Sequence, residues 1–230
     1  MISYRETQPH AELRDFIRCY GALRTDVPAR HASEGLLVPD GHLEIAFNLG
    51  APRHDFLVDR WCPRPEVTVD EVVSRAVRIR WLGPTRYVAV KLTRGAGLSL
   101  LGLAGEDLTT EPIDGRALPG LAALGERLAG APDWARRVRH LDEFFRPLAA
   151  RATVDLLVAA TSRHLESRAG GVSIGACAER LGVSIRTLQL RVRERTGLTP
   201  KRLAQIVRVR AAIRSVALDS SRPLSTLAHD

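Results

Sequence analysis

Hydrophobic and polar positions change period along this chain. From 42 to 49, Leu43, Ile45, Phe47 and Leu49 alternate with other residues, the two-residue period of a half-buried strand. Pro39-Asp40-Gly41 ahead of it predicts a turn, with proline fixing φ and glycine free to take a positive φ, and Gly50-Ala51-Pro52 closes it. Val67-Thr68-Val69, residues 76–82 with Val77, Ile79 and Trp81 on one face, and residues 87–92 continue the pattern. Gly83-Pro84 predicts a hairpin connection between the last two. Four or more short strands of this kind point to a small antiparallel sheet or barrel.

After about residue 95 the period becomes helical. Leu98 and Leu101, and then Leu121, Leu124 and Leu128, sit at three- and four-residue spacings. Asp133 stands as a cap ahead of Trp134, Val138, Leu141 and Phe145, and Pro147 is expected to start or interrupt a helix. Residues 153–168 carry Val154, Leu157, Val158 and Leu165, and Gly170-Gly171 stops that helix. The reading is an α+β chain of two domains: a β-rich unit over 1–146 with trailing helices, and an all-α unit over 147–230, divided near Arg146.

The stretch 172–198 is the most specific. Ser173 can cap a helix holding Ile174, Cys177, Ala178 and Leu181; Gly182 ends it, because a left-handed backbone is cheap only for glycine. Val183 can plug the space between two helices, and Ser184 can cap the next, which runs from Ile185 to about Thr196 and stops at Gly197. Two short helices joined this way form a helix-turn-helix pattern. In the second helix Ile185, Leu188 and Val192 are expected to pack inward, while Arg186, Gln189, Leu190 and Arg193 share another face at i, i+3, i+4 and i+7. Arginine can pair bidentately with guanine, and glutamine with adenine, in the major groove.

Charge sharpens this picture. The 230 residues carry a formal net charge of +8. From Arg163 to Arg222 there are thirteen Lys/Arg against four acids, leaving 21 bases and 22 acids elsewhere, so one quarter of the chain holds the whole excess. A basic segment on a near-neutral body is the footprint expected of a protein that neutralises nucleic-acid phosphates. Cys19, Cys62 and Cys177 are scattered and in no C-x-x-C arrangement, which argues against a disulfide framework or zinc site and suits a reducing cytosol. No basic stretch followed by an apolar run opens the chain, and no run approaches the ~18 apolar residues of a membrane helix, so a cytoplasmic protein with no membrane partner is expected.

Ser184-Ile185-Arg186-Thr187-Leu188-Gln189, then Gly197-Leu198-Thr199-Pro200-Lys201-Arg202, then a long helix through Arg208 and Ala211-Ala212, resemble the AraC family of bacterial regulators over roughly residues 153–230. The resemblance implies two helix-turn-helix subdomains joined by a long helix, here about 200–218, each placing one helix in the major groove. It implies base-reading positions at Arg186, Gln189 and Leu190, with Ser184, Thr187 and Arg193 near phosphates, and Lys201 is counted with them. The family often has a basic residue where Leu190 stands; leucine would instead meet a thymine methyl. Residues 221–230 resemble the opening of the second subdomain, and its turn and recognition helix do not follow in this sequence. Weak or absent specific DNA binding by the chain as it stands is the expectation from that. Val38-Pro39-Asp40-Gly41-His42 with Glu44, Pro84-Thr85-Arg86-Tyr87 and Arg94-Gly95-Ala96-Gly97 carry a weaker likeness to the sensor-like domains that precede this unit, which bind an effector or mediate dimerisation.

Other chemistry is set aside. His42 and Glu44 share one side of a strand and His54 could join them, yet no H-x-H pair or third ligand at matching spacing completes a metal set. Gly95-Ala96-Gly97 lacks the third glycine and the βαβ setting of a dinucleotide fingerprint, so a turn into a helix is expected. Ser99 lacks the flanking glycine of a nucleophile elbow, and Cys177 falls on an apolar helix face. No catalytic residue, metal or cofactor is expected. The partners expected are double-stranded DNA, an unidentified small-molecule effector, a second copy of the chain and RNA polymerase. The alternative is an interaction protein that does not bind DNA and acts through an N-terminal dimer surface.

Overall fold

The computed structural model describes residues 2–26, 28, 31–70, 75–108 and 112–218. Among the described residues ten strands form two antiparallel sheets. The larger has the order β1 (Ile2–Thr7), β2 (Ile17–Thr25), β9 (Thr85–Leu92), β4 (Glu44–Asn48), β7 (Val67–Asp70) and β10 (Ile113–Asp114). The smaller runs β3 (Ser33–Leu37), β8 (Val77–Trp81), β5 (Arg53–Leu57) and β6 (Arg60–Pro63). Helices follow: α1 (Gly97–Leu101), α2 (Leu121–Gly130), α3 (Trp134–Ala149), α4 (Leu156–Ser167), α5 (Ile174–Arg180), α6 (Ile185–Thr196) and α7 (Pro200–Leu218). The fold is α+β, with antiparallel sheets first and a helical region after them.

Alternation puts Ile45 and Phe47 of β4, Val67 and Val69 of β7, and Val88 and Val90 of β9 on one face of the larger sheet, all buried. Leu121, Leu124 and Leu128 of α2, with Leu141 and Phe145 of α3, cover that face and complete the first core. Asp133 caps α3 by accepting the Arg136 N–H at 2.7 Å. A second core gathers Val158 and Leu165 of α4, Cys177 of α5, Leu188 and Val192 of α6, and Leu203 and Val207 of α7. The chain passes from one cluster to the other between Val154 and Leu157, and Arg146 lies inside α3. The clusters meet at α7, whose Ile206 is buried with the first.

Several expectations are corrected. Gly83-Pro84 does not close a hairpin: β8 pairs with β3 and β5, whereas β9 pairs with β2 and β4, so the chain crosses between sheets there. Pro147 neither starts nor interrupts a helix; it sits inside α3, two residues from its end, so that only the one hydrogen bond its N–H would have made is missing before the helix stops. Strands β1, β2, β3, β5 and β6 carry no clean apolar alternation and were not expected. In β5 the inward residues are Arg53 and Asp55, both buried and paired with each other. Residues 221–230 lie outside the described residues.

Candidate functional site

Helices α5 and α6 are built by their ends. Ser173 accepts the Ala176 N–H at 3.1 Å, and Ser184 accepts the Thr187 N–H at 3.0 Å, so each serine satisfies a donor that the first helical turn leaves unpaired. Between them Gly182 takes φ +66°, the left-handed conformation its position requires. Val183 then packs against the second core. Leu188 and Val192 hold α6 onto α4, α5 and α7, but Ile185 remains 49% exposed. The expectation that Ile185 packs inward is therefore corrected. It is the first residue of α6, one turn before Leu188, and the core does not extend that far.

Every sequence-selected position lies on the open side of this unit. Arg186, Thr187, Gln189, Leu190 and Arg193 are exposed along α6, with Ser184 exposed ahead of it and Lys201 on the first turn of α7. Among the described residues Arg186, Arg193 and Lys201 form no ion pair. The hydroxyls of Ser184 and Thr187 lie 2.8 Å apart within the cap.

The two ends of α6 differ. Arg191 Nη2 lies 2.7 Å from Asp155 Oδ2, and Arg195 Nε lies 3.5 Å from it. Asp155 caps α4 through its other oxygen, and its backbone N–H reaches Gly95 O at 2.8 Å. Two cations of the basic segment are thus neutralised internally, which linear charge counting does not reveal. A short turn at Gly105–Asp107 also lies against the last turn of α6. A Cβ on Gly105 would fall 2.5 Å from the Glu194 carbonyl oxygen and 2.6 Å from that of Arg193, so only glycine permits this approach. Leu190 and Arg193 line the groove beside that turn.

Between the sheets lies a second feature that sequence reasoning missed. A cavity of about 430 Å³ is lined by both sheets and by Arg210 of α7. His42 and Glu44 line it, and His54 does not. The His42 Nδ1 lies 2.9 Å from Leu92 O, and burial with the nearby Arg94 guanidinium pulls its pKa down to about 3, so the ring is neutral. Burial, with the Asp70 charge beside it, pushes the Glu44 carboxyl up to about 7. Among the described residues no group of three or more His, Cys, Asp or Glu side chains is arranged to hold a metal ion. The same residues include no helix long and apolar enough to cross a membrane. The glycines at 95–97 form a turn into α1.

A family profile described as a domain of unknown function, DUF6597, matches residues 5–114, just under half of the chain. That span begins within β1 and ends with β10. No curated protein matches. Among solved structures, the AraC-like transcriptional activator CuxR aligns at 13% identity over 94% of this chain and 87% of its own, with a TM-score of 0.35. A Cupin_2 domain of an XRE family transcriptional regulator from Enterobacter cloacae aligns at 10% identity over 39% of this chain and 94% of its own, with a TM-score of 0.25. Phpd with cadmium complexed with hydroethylphosphonate aligns at 15% identity over 87% of this chain and 47% of its own, with a TM-score of 0.24. Likenesses at these scores carry no argument about what the chain does.

Proposed function

We propose that the chain is a sequence-specific DNA-binding transcription regulator of two units, about 1–146 and 147–230, the first sensing or dimerising and the second reading DNA. In this reading α5 and α6 are a helix-turn-helix and α6 is the recognition helix. The observation that carries it is the exposed face of α6. Arg186, Gln189, Leu190 and Arg193 lie open on a helix fixed from behind by Leu188 and Val192 and capped at its start by Ser184. Caps and glycine turns occur in helices of every kind; what supports the major-groove reading is that this fixed helix follows another across a short turn and presents an open Arg–Gln face. Arg186, Gln189 and Leu190 contact base edges, and Ser184, Thr187, Arg193 and Lys201 lie near phosphates. Affinity comes largely from displacing condensed counterions and specificity from α6. A homodimer supplies paired half-sites, and RNA polymerase and a small-molecule effector are the further partners of such a regulator.

Selection of the full chain on a pool of genomic fragments, followed by titration of one selected site between about 50 and 200 mM salt, tests this. Enrichment of one site class, with a steep loss of affinity as salt rises, is expected. Binding indifferent to salt, or no enrichment even at the lowest salt, overturns the reading in favour of an interaction protein that does not touch DNA.

A further inference from the structure

The larger sheet has two unlike faces. The face toward α2 and α3 is apolar and carries the first core. On the other face the register brings Glu44 opposite Lys91 and Asp70, and sets Gly21 and Ala46 on either side of Ala89. Charged residues and small residues thus share the inner face. The small ones leave room and the charged ones fill it poorly. The smaller sheet faces this floor with Leu37, Ile79 and Trp81, and the cavity volume of about 430 Å³ is within the usual range for small-molecule sites.

The charges lining the cavity are not balanced. Four acids (Glu6, Asp40, Glu44 and Asp70) face three bases (Arg53, Lys91 and Arg210), and His42 is neutral. Two acids have cations of their own: Asp40 takes Lys91 Nζ at 2.9 Å, and Asp70 lies 3.6 Å from Arg53 and is also bound by Arg64. Among the described residues Glu44 and Glu6 have no cation within ion-pair distance, although Lys91 lies across the register from Glu44, and Arg210 has no acid. The Glu44 Oε1 accepts the Tyr87 hydroxyl at 2.9 Å, and Oε2 is left without a hydrogen bond there. Tyr87 is itself fixed by the Arg53 guanidinium at 3.0 Å, so it cannot turn to serve both oxygens. A part-buried carboxylate at the wall of a cavity open to solvent, with one oxygen engaged and one accessible, is placed to receive a cation, because partial burial strengthens an ion pair made there.

We propose that this cavity binds a small organic amine, with its ammonium group on the free oxygen of Glu44 and its apolar body against Leu23, Ile79 and Trp81. The site belongs to the two sheets and does not rest on DNA binding. An organic acid of the same size meets the unpaired carboxylate and is rejected. A neutral alcohol fills the space without the ion pair.

Calorimetric titration of the full chain at pH 8, without DNA, separates these ligands. The probes are phenethylamine, phenethyl alcohol and phenylacetate, which share one ring and differ in the head group. Saturable binding of the amine is expected, at least tenfold tighter than the alcohol, with no binding of the acid. Glu44→Gln is expected to weaken the amine at least tenfold and leave the alcohol unchanged, and Ala89→Phe to remove both by filling the floor. The comparison among ligands on the unaltered chain stands even if a variant fails to fold. Acid binding as tight as amine binding, no saturable amine binding, or a Glu44→Gln protein that binds the amine normally would each overturn the proposal.

Discussion

The β-rich half and α6 both concentrate charge, and they use it in opposite ways. Between the sheets Arg53, Asp55, Arg64 and Asp70 are buried and bonded to one another. On α6, Arg186 and Arg193 face solvent with no acidic partner among the described residues. A buried, paired guanidinium fixes the shape of its surroundings, since displacing it strands its partners. An exposed, unpaired one contributes little to stability and keeps its charge for an outside anion. The lesson is that counts of basic residues mean little until each cation's partner is known. Arg191 and Arg195, bound to Asp155, belong with the first class although they stand in the basic segment.

Removing Arg53 tests the buried side of this comparison most severely. Arg53→Ala takes the bidentate partner from Asp55, leaving it Arg64 alone, and removes the donor to the Tyr87 hydroxyl, and urea unfolding should report a loss of about 3 kcal/mol.

Glu44 gives the next largest effect, with pH as its signature. Its folded carboxyl titrates near 7, above the 4.5 of an unperturbed glutamate. The folded chain therefore holds a proton that the unfolded chain releases, and stability falls as pH rises from about 4.5 to 7. Glu44→Gln should stabilise the chain by on the order of 3 kcal/mol at pH 8 and hardly at all at pH 4, as thermal melts at the two pH values would show.

The open side of α6 should respond in the other observable. Arg186→Ala and Gln189→Ala are expected to cost roughly 1–3 kcal/mol each at one base pair of a selected site. Binding measured across single-base variants of that site distinguishes base reading from a uniform loss. Ser184→Ala should cost about 1 kcal/mol of stability through the lost cap. Arg186→Ala should leave the urea midpoint nearly unchanged, within about 0.5 kcal/mol. A large shift there would place Arg186 with the buried class.

The helical half was the more legible because its signals are local. Ser173, Gly182, Ser184 and Gly197 each do their work within one turn of themselves, so reading along the chain finds them. The β-rich half depends on partners far apart in sequence. Arg53 and Asp55 look like surface residues until Arg64, Asp70 and Tyr87 are brought to them, and β2, whose apolar residues do not alternate cleanly, is recognised as a strand only once β1 and β9 flank it. The same distance hid the cavity: Gly21, Glu44 and Ala89 come from three strands and share no motif. Ile185 failed for the opposite reason. Its helical phase suits the core, but the core ends one turn short of it.

Ile206 ties these halves in a way that shows most clearly in time. It stands on α7, the helix that also supplies Leu203 and Val207 to the second core, and it is buried with the first. Neither cluster can open fully without uncovering a residue the other helix face depends on. The halves should therefore unfold as one cooperative unit, with a single calorimetric transition, and the slowest-exchanging amides of β4 and α7 should exchange through the same rare global opening. Ile206→Ser is expected to divide that opening in two, letting α7 exchange early while the sheets stay closed.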